Sequence, residues 1–255
     1  MSARDSSGDA EIPKGLVEAV VELVGTGPVP LGGYTVAEID AVSGIVHFLE
    51  SEPPAEVVAE AVRSLAARSL ITTSAGSDQV QVRGDLGIAL AFQHRSRTAL
   101  DARVTGTETD RPWRFVLMPQ PEGLTLEVLI DALGIHFYSL RTTPDTLDRL
   151  WERLPSGDSA PGDADADAVL ASSPRTALIS VSRWEDDGTR ETHDVVLAQD
   201  RGRCHVFLRH PEEPSRLVAQ GLDDDEWRDL VTRLSVPSGA AGPSQARSEA
   251  LSDLG

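Results

Sequence analysis

The sequence predicts an α+β protein: an N-terminal winged-helix-like helical module, then two repeated β-β-β-β-α units forming a pseudo-twofold sheet body. Three observations predict it. A stretch opening on Thr98-Ala99-Leu100 and closing on the run Leu150-Trp151-Glu152-Arg153-Leu154 is answered, about 80 residues on, by one opening on Thr176-Ala177-Leu178 and closing on Leu230-Val231-Thr232-Arg233-Leu234. Asp145, Leu150, Arg153 and Leu154 match Asp225, Leu230, Arg233 and Leu234, which sets Leu150 on Leu230 and Thr98 on Thr176. Each closing run follows several short alternating segments, and ahead of both units apolar residues recur at helical spacing in three runs.

Residues 1–13 are polar and expected to be disordered. In the module, 14–97, one apolar face comprises Leu16, Val17, Val20, Val21, Leu23 and Val24, and Gly25-Thr26-Gly27-Pro28 stops that helix. Thr35 and Glu38 are spaced as a capping box for a second helix running to about Glu50. Pro53-Pro54 resets the chain, and Val57, Val58, Ala61, Val62, Leu65, Ala66 and Leu70 mark a third helix. Leu70-Ile71-Thr72 and Val80-Gln81-Val82 flank a turn-forming stretch and read as a hairpin. A short helical or irregular link around 86–95 then leads into the body.

The first unit, 98–154, has strands expected at 100–104, 113–118, 124–130 and 135–140, then a helix with Pro144 in its first turn. The second, 176–235, repeats the order with strands at 178–184, 193–198, 204–208 and 217–219 and a helix whose leading aspartates suit its dipole. Residues 155–175 between them, rich in Pro, Gly and Asp, are expected to be a flexible linker without packed elements. The tail, 236–255, has the same character.

The chain has 255 residues, 40% of them hydrophobic, enough for a substantial core. No apolar run reaches the roughly 18 residues of a membrane span, and Asp5, Asp9 and Glu11 replace the basic start of a signal peptide, so a cytoplasmic location and no membrane partner are expected. The net charge of −18 argues against nucleic-acid partners, whose affinity comes from Lys and Arg releasing counterions. Residues 1–97 alone carry a net −6, and the third helix begins among Glu52, Glu56 and Glu60, where a DNA-reading helix would meet phosphate.

Catalytic and metal templates find no match. The six histidines include no pair four apart, the single Cys204 lies in an alternating strand segment, and neither a glycine-rich phosphate loop nor a Gly-x-Ser-x-Gly turn occurs. No cofactor, metal or catalytic residue is therefore expected, and Asp186-Asp187-Gly188 reads as a hairpin turn. Trp151 and Trp227, in similar places on the closing helices, read as core. Trp113 and Trp184 border the first hairpin loop of each unit, which makes Arg111, Trp113, Trp184, Asp186 and Arg190 the candidate partner-binding residues.

The stretch Ala61-Val62-Arg63-Ser64-Leu65-Ala66-Ala67-Arg68-Ser69-Leu70 with its following hairpin, the strand Leu100-Asp101-Ala102-Arg103-Val104, and the strand Cys204-His205-Val206-Phe207-Leu208 with its terminal helix resemble the EspG-like chaperones of actinobacterial type VII (ESX) secretion. The resemblance implies a pseudo-twofold sheet flanked by helices and a non-enzymatic cytosolic chaperone or adaptor that binds a secreted helical protein. The alternative reading of the residues is a winged-helix transcriptional regulator with a duplicated ligand-sensing or dimerisation body. Oligomeric state is open on either reading.

Overall fold

A computed structural model describes residues 12–42, 53–73, 80–106, 114–185 and 187–235. The expectations for 1–11, for the second helix beyond Val42, for the hairpin turn at 74–78 and for the tail lie outside the described residues. In chain order the elements are α1 (Lys14–Thr26), β1 (Val29–Tyr34), α2 (Val36–Ala41), α3 (Ala55–Ala67), β2 (Ile71–Thr73), β3 (Val80–Val82), α4 (Gly84–Arg95), β4 (Thr98–Thr105), β5 (Arg114–Pro119), β6 (Leu124–Ile130) and β7 (His136–Thr142). There follow α5 (Thr143–Trp151), β8 (Asp158–Ser159), α6 (Ala166–Ser172), β9 (Arg175–Trp184), β10 (Arg190–Asp200), β11 (Arg203–Arg209), β12 (Leu217–Gln220) and α7 (Asp224–Ser235). The protein is α+β.

A single sheet holds the strands in the order β1-β7-β6-β5-β4-β9-β10-β11-β12, with β8 also paired to β11. Its centre is the antiparallel pair β4 and β9, from Thr98 opposite Arg183 to Thr105 opposite Thr176. Alternation gives each strand two faces. On one, Leu100, Ala102, Phe115, Leu117, Ile179, Val181, Val195, Leu197 and Val206 meet Leu150, Leu154, Trp227 and Val231 of the α5 and α7 segments. Trp227 is fully buried there, edge-on to Trp151 at 5.5 Å and 86°, as a core reading of both requires.

The opposite face of β5, β6 and β7 packs Val116, Met118, Leu126, Val128, Tyr138 and Leu140 against Val20, Val24, Leu31, Tyr34, Leu65, Leu86 and Phe92. The N-terminal helices therefore share one core with the first half of the sheet. Two signals held locally: Thr35 and Glu38 close a capping box, and Pro144 stands in the first turn of α5. The short link before the body, expected to be helical or irregular, is the helix α4, with Leu86, Ala89, Leu90 and Phe92 buried.

Three expectations need correction. The chain between α1 and α2 forms β1, which extends the body sheet beside β7 rather than staying within the helical module. The stretch 155–175, expected to lack packed elements, forms β8, parallel to β11, and α6, capped by the Asp165 carboxylate. Gly157 lies so close to Gly202 that a Cβ would collide with its carbonyl, while Asp158 N–H donates to that same oxygen at 3.1 Å. Backbone pairing needs no apolar side chains, so a polar composition did not forbid it.

The third correction concerns register. Setting Thr98 on Thr176 matches Leu100 with Leu178, yet Leu100 is buried among the α5 and α7 side chains whereas Leu178 is half-buried on the other face. The residue of β9 that shares the buried cluster of Leu100 is Ile179, one position along. In the helices Leu150 is buried and Leu230 only half-buried, while Val231 is fully buried. A single-residue slip exchanges the two faces of a strand, so burial decides the register where letter matching does not.

Candidate functional site

The face of β4, β9, β10 and β11 opposite α7 is polar at its middle. Asp101 stands across from Ser180, and Ser180 across from Asp194. Arg114 donates Nε and Nη2 to the two oxygens of Asp101 at 2.8 and 2.6 Å, the bidentate geometry that makes such pairs strong. Arg103 Nη2 donates to the same carboxylate at 3.3 Å. Ser180 Oγ donates to Asp194 Oδ1 at 2.6 Å, Arg209 Nε donates to Asp194 Oδ2, and Arg209 Nη1 donates to the carbonyl of Pro214 at 2.7 Å. The result is a charged row crossing five strands.

Trp184 and Arg190 lie on this same face, since alternate residues of one strand share a side. They face each other at the end of the β9–β10 ladder, with the Arg190 guanidinium 5.6 Å from the centroid of the Trp184 ring. Arg190 also donates Nε and Nη2 to Ser182 Oγ at 3.2 and 2.8 Å. Trp184 N–H donates to the carbonyl of Arg97 at 3.0 Å, which ties this end of β9 to the start of β4. The turn beyond is closed by Glu185 N–H to the Thr189 carbonyl, with Gly188 at φ 82. Asp187 accepts from the hydroxyl and N–H of Thr189, and these bonds hold its carboxyl below the usual carboxylate range.

Of the five candidate residues, Trp184 and Arg190 are therefore brought into contact. Arg111, Trp113 and Asp186 lie outside the described residues, but the strand ends that carry the first two decide a point of geometry. β4 and β9 are antiparallel neighbours, so the loop after Thr105 leaves beside Thr176 while the loop after Trp184 leaves beside Thr98. The strand ends that carry the two loops lie at opposite ends of this ladder, roughly 23 Å apart along β4. The row at Asp101, Ser180 and Asp194 lies between those two ends.

That row was missed by the sequence reading. Its signal is the polar half of the alternation in 101–103, 180–184 and 190–194, but which strands are neighbours is a property of the whole sheet.

Two other reactive side chains, Cys204 and His136, are turned inward. Cys204 is buried, its Sγ 3.6 Å from the Pro155 carbonyl, and burial pushes its thiol up to about 12. His136 is 2% exposed, and burial lowers its pKa from the ordinary imidazole value. His193 pairs with Glu191 on the face toward α7, and His210 Nδ1 accepts from the N–H groups of Glu212 and Glu213. Among the described residues no three His, Cys, Asp or Glu side chains gather as a metal set would, and no helix is long and apolar enough to cross a membrane. On α3, Glu56 is exposed and Arg63 is bonded to Glu60 at 2.7 Å, so this cation is already partnered.

The arrangement offers recognition groups: guanidinium donors, hydroxyls and an aromatic ring on one face of the sheet. The chain matches no protein-family model and none of the curated proteins.

Proposed function

We propose that the chain is a non-enzymatic adaptor or chaperone that holds a partner protein on the polar face of its sheet. The observation that carries this reading is the contact of Arg190 with Trp184 beside the charged row of Asp101, Ser180 and Asp194. Arginine and tryptophan are the side chains most enriched where binding energy concentrates, and both are held here by backbone ladders and cross-strand bonds. Such preorganisation limits the entropy lost on binding.

The body is read as an internal duplicate, β4 to α5 and β9 to α7, with its pseudo-twofold axis at the Asp101–Ser180 pair. In favour of that reading, the buried residues correspond as Leu100 with Ile179 and Ala102 with Val181, and each closing helix begins at a side-chain cap, Thr142 for Asp145 N–H and Asp223 for Glu226 N–H. The helices α1 to α3 with the β2–β3 hairpin are read as a winged-helix-like module put to structural use, since they cover the sheet. The partner class favoured by the resemblance to type VII secretion chaperones is a secreted helical protein in the cytoplasm.

Affinity capture from the source cell tests this, comparing wild type with a Trp184→Ala, Arg190→Gln double variant of unchanged melting temperature. The expected result is one protein retained near one-to-one by wild type and reduced about tenfold by the variant, the scale of losing one to two kcal/mol. Equal retention by both would overturn the reading.

A further inference from the structure

We infer that the segment of the partner held by this face is acidic: a short extended stretch bearing Asp or Glu, bound by Arg103, Arg190 and Arg209. The inference rests on the adaptor reading and names the chemistry of what it binds.

The charges of this face differ in how far they reach solvent. Arg103 and Arg209 have side chains 50% and 45% exposed, whereas the carboxylates they touch, Asp101 and Asp194, are 18% and 13% exposed. The acids are low in the face and the guanidinium groups stand above them. A guanidinium carries five N–H donors. Bonds to described residues use one of these in Arg103 and two each in Arg190 and Arg209. The remaining donors have the fork geometry that fits a carboxylate.

Nearby acids are placed so as not to cancel this. Asp187 is occupied by Thr189, and Glu213 lies 3.9 Å from Arg216. Glu185 and Glu212 are exposed but sit in loops beyond the strand ends. Within the strands, the polar face of β4, β9 and β10 carries Asp101, Asp194 and Asp200 as its described acids; the first two are bonded to arginine, and Asp200, at the far end of β10, lies 3.9 Å from Arg201.

Spacing fixes the form of the ligand. Arg190 is level with Trp184 and Arg103 with Leu178, six residues apart on β9 and so roughly 20 Å. About six residues of extended chain span that distance, with alternate side chains pointing toward the face. Trp184 at one end provides an apolar stop. A long polyanion such as duplex DNA would meet the net charge of −18, whereas a short segment feels only groups within a Debye length of about 8 Å.

Fluorescence anisotropy with the full chain tests this, using a labelled peptide alternating Glu and Leu and a counterpart with Gln for Glu. The variants are Arg103→Gln, Arg190→Gln, Arg209→Gln combined, and the corresponding triple Lys variant, which keeps the charge. The Glu peptide is expected to bind wild type at least about tenfold more tightly than the Gln peptide, and to weaken as salt rises. The triple Gln variant loses about tenfold, and the triple Lys variant stays within about threefold of wild type. Equal affinity for the two peptides, no effect of salt, or a folded triple Gln variant binding as well as wild type would overturn the inference. Failure of wild type to bind the Glu peptide would overturn it too, and if partner capture still depended on Trp184 and Arg190 the adaptor reading would survive alone.

Discussion

Glu127 is the charge most deeply committed to the fold. It is 1% exposed on β6, and it accepts from Arg141 Nε at 3.1 Å, Ser139 Oγ at 3.2 Å and Arg149 Nε at 3.3 Å. The last bond joins α5 to the sheet, so this carboxylate sets the seat of the closing helix. Removing it leaves two guanidinium groups that still reach water, Arg141 at 18% and Arg149 at 31% exposure. That moderates the cost of breaking a buried pair. Glu127→Ala is expected to destabilise the chain by about 2–3 kcal/mol in urea unfolding, and Arg149→Ala by under about 1 kcal/mol. Additivity of the two losses would show that Glu127 and Arg149 are not coupled. The sequence announced none of this: Glu127 looks like one more polar position of an alternating strand, and only the packing of α5 above it makes that position interior.

At the scale of elements, local chemistry was legible and long-range pairing was not. Thr35 and Glu38 cap α2 because the bonds are made within one turn, and Gly188 closes the β9–β10 hairpin for the same reason. β1 was missed because its six residues include Pro30, Gly32 and Gly33, poor strand formers whose pairing depends on β7 being alongside. β8 and α6 were missed because their residues, Val169 and Leu170 apart, are small or acidic and much of their stabilisation comes from backbone pairing to β11 and an Asp165 cap. Gly157 tests whether that crossing is built to fit. Gly157→Ala places a Cβ against the Gly202 carbonyl and is expected to cost about 1–3 kcal/mol, read from the urea midpoint. No loss of stability would show that β8 does not pack on the β10–β11 turn.

Across the whole molecule, the periodicity of apolar residues pointed to an α+β chain, which the elements are, and two of the candidate residues, Trp184 and Arg190, are in contact. What the sequence could not convey is which strands are neighbours. Because β4 pairs with β9, the strand ends that carry the two hairpin loops lie at opposite ends of that ladder, and polar residues from separate stretches converge between them. The same topology makes the N-terminal segment part of the body: Leu31, Tyr34, Leu65 and Phe92 cover Val116, Met118, Leu126 and Val128. A fragment of residues 98–235 exposes that apolar face, and is expected to aggregate or lack a cooperative thermal transition where the full chain melts once. A soluble fragment with its own sharp transition would contradict the shared core.

The claim that a partner lies on the polar sheet face is tested most directly by a photo-cross-linking residue placed at Thr192, exposed on that face, with Leu133, 85% exposed in the β6–β7 turn, as the control. In the source cell, a discrete adduct is expected from position 192, reduced about tenfold by Arg190→Gln with Trp184→Ala, and none from position 133. An adduct at 133 with none at 192, or one at 192 indifferent to those substitutions, would contradict it.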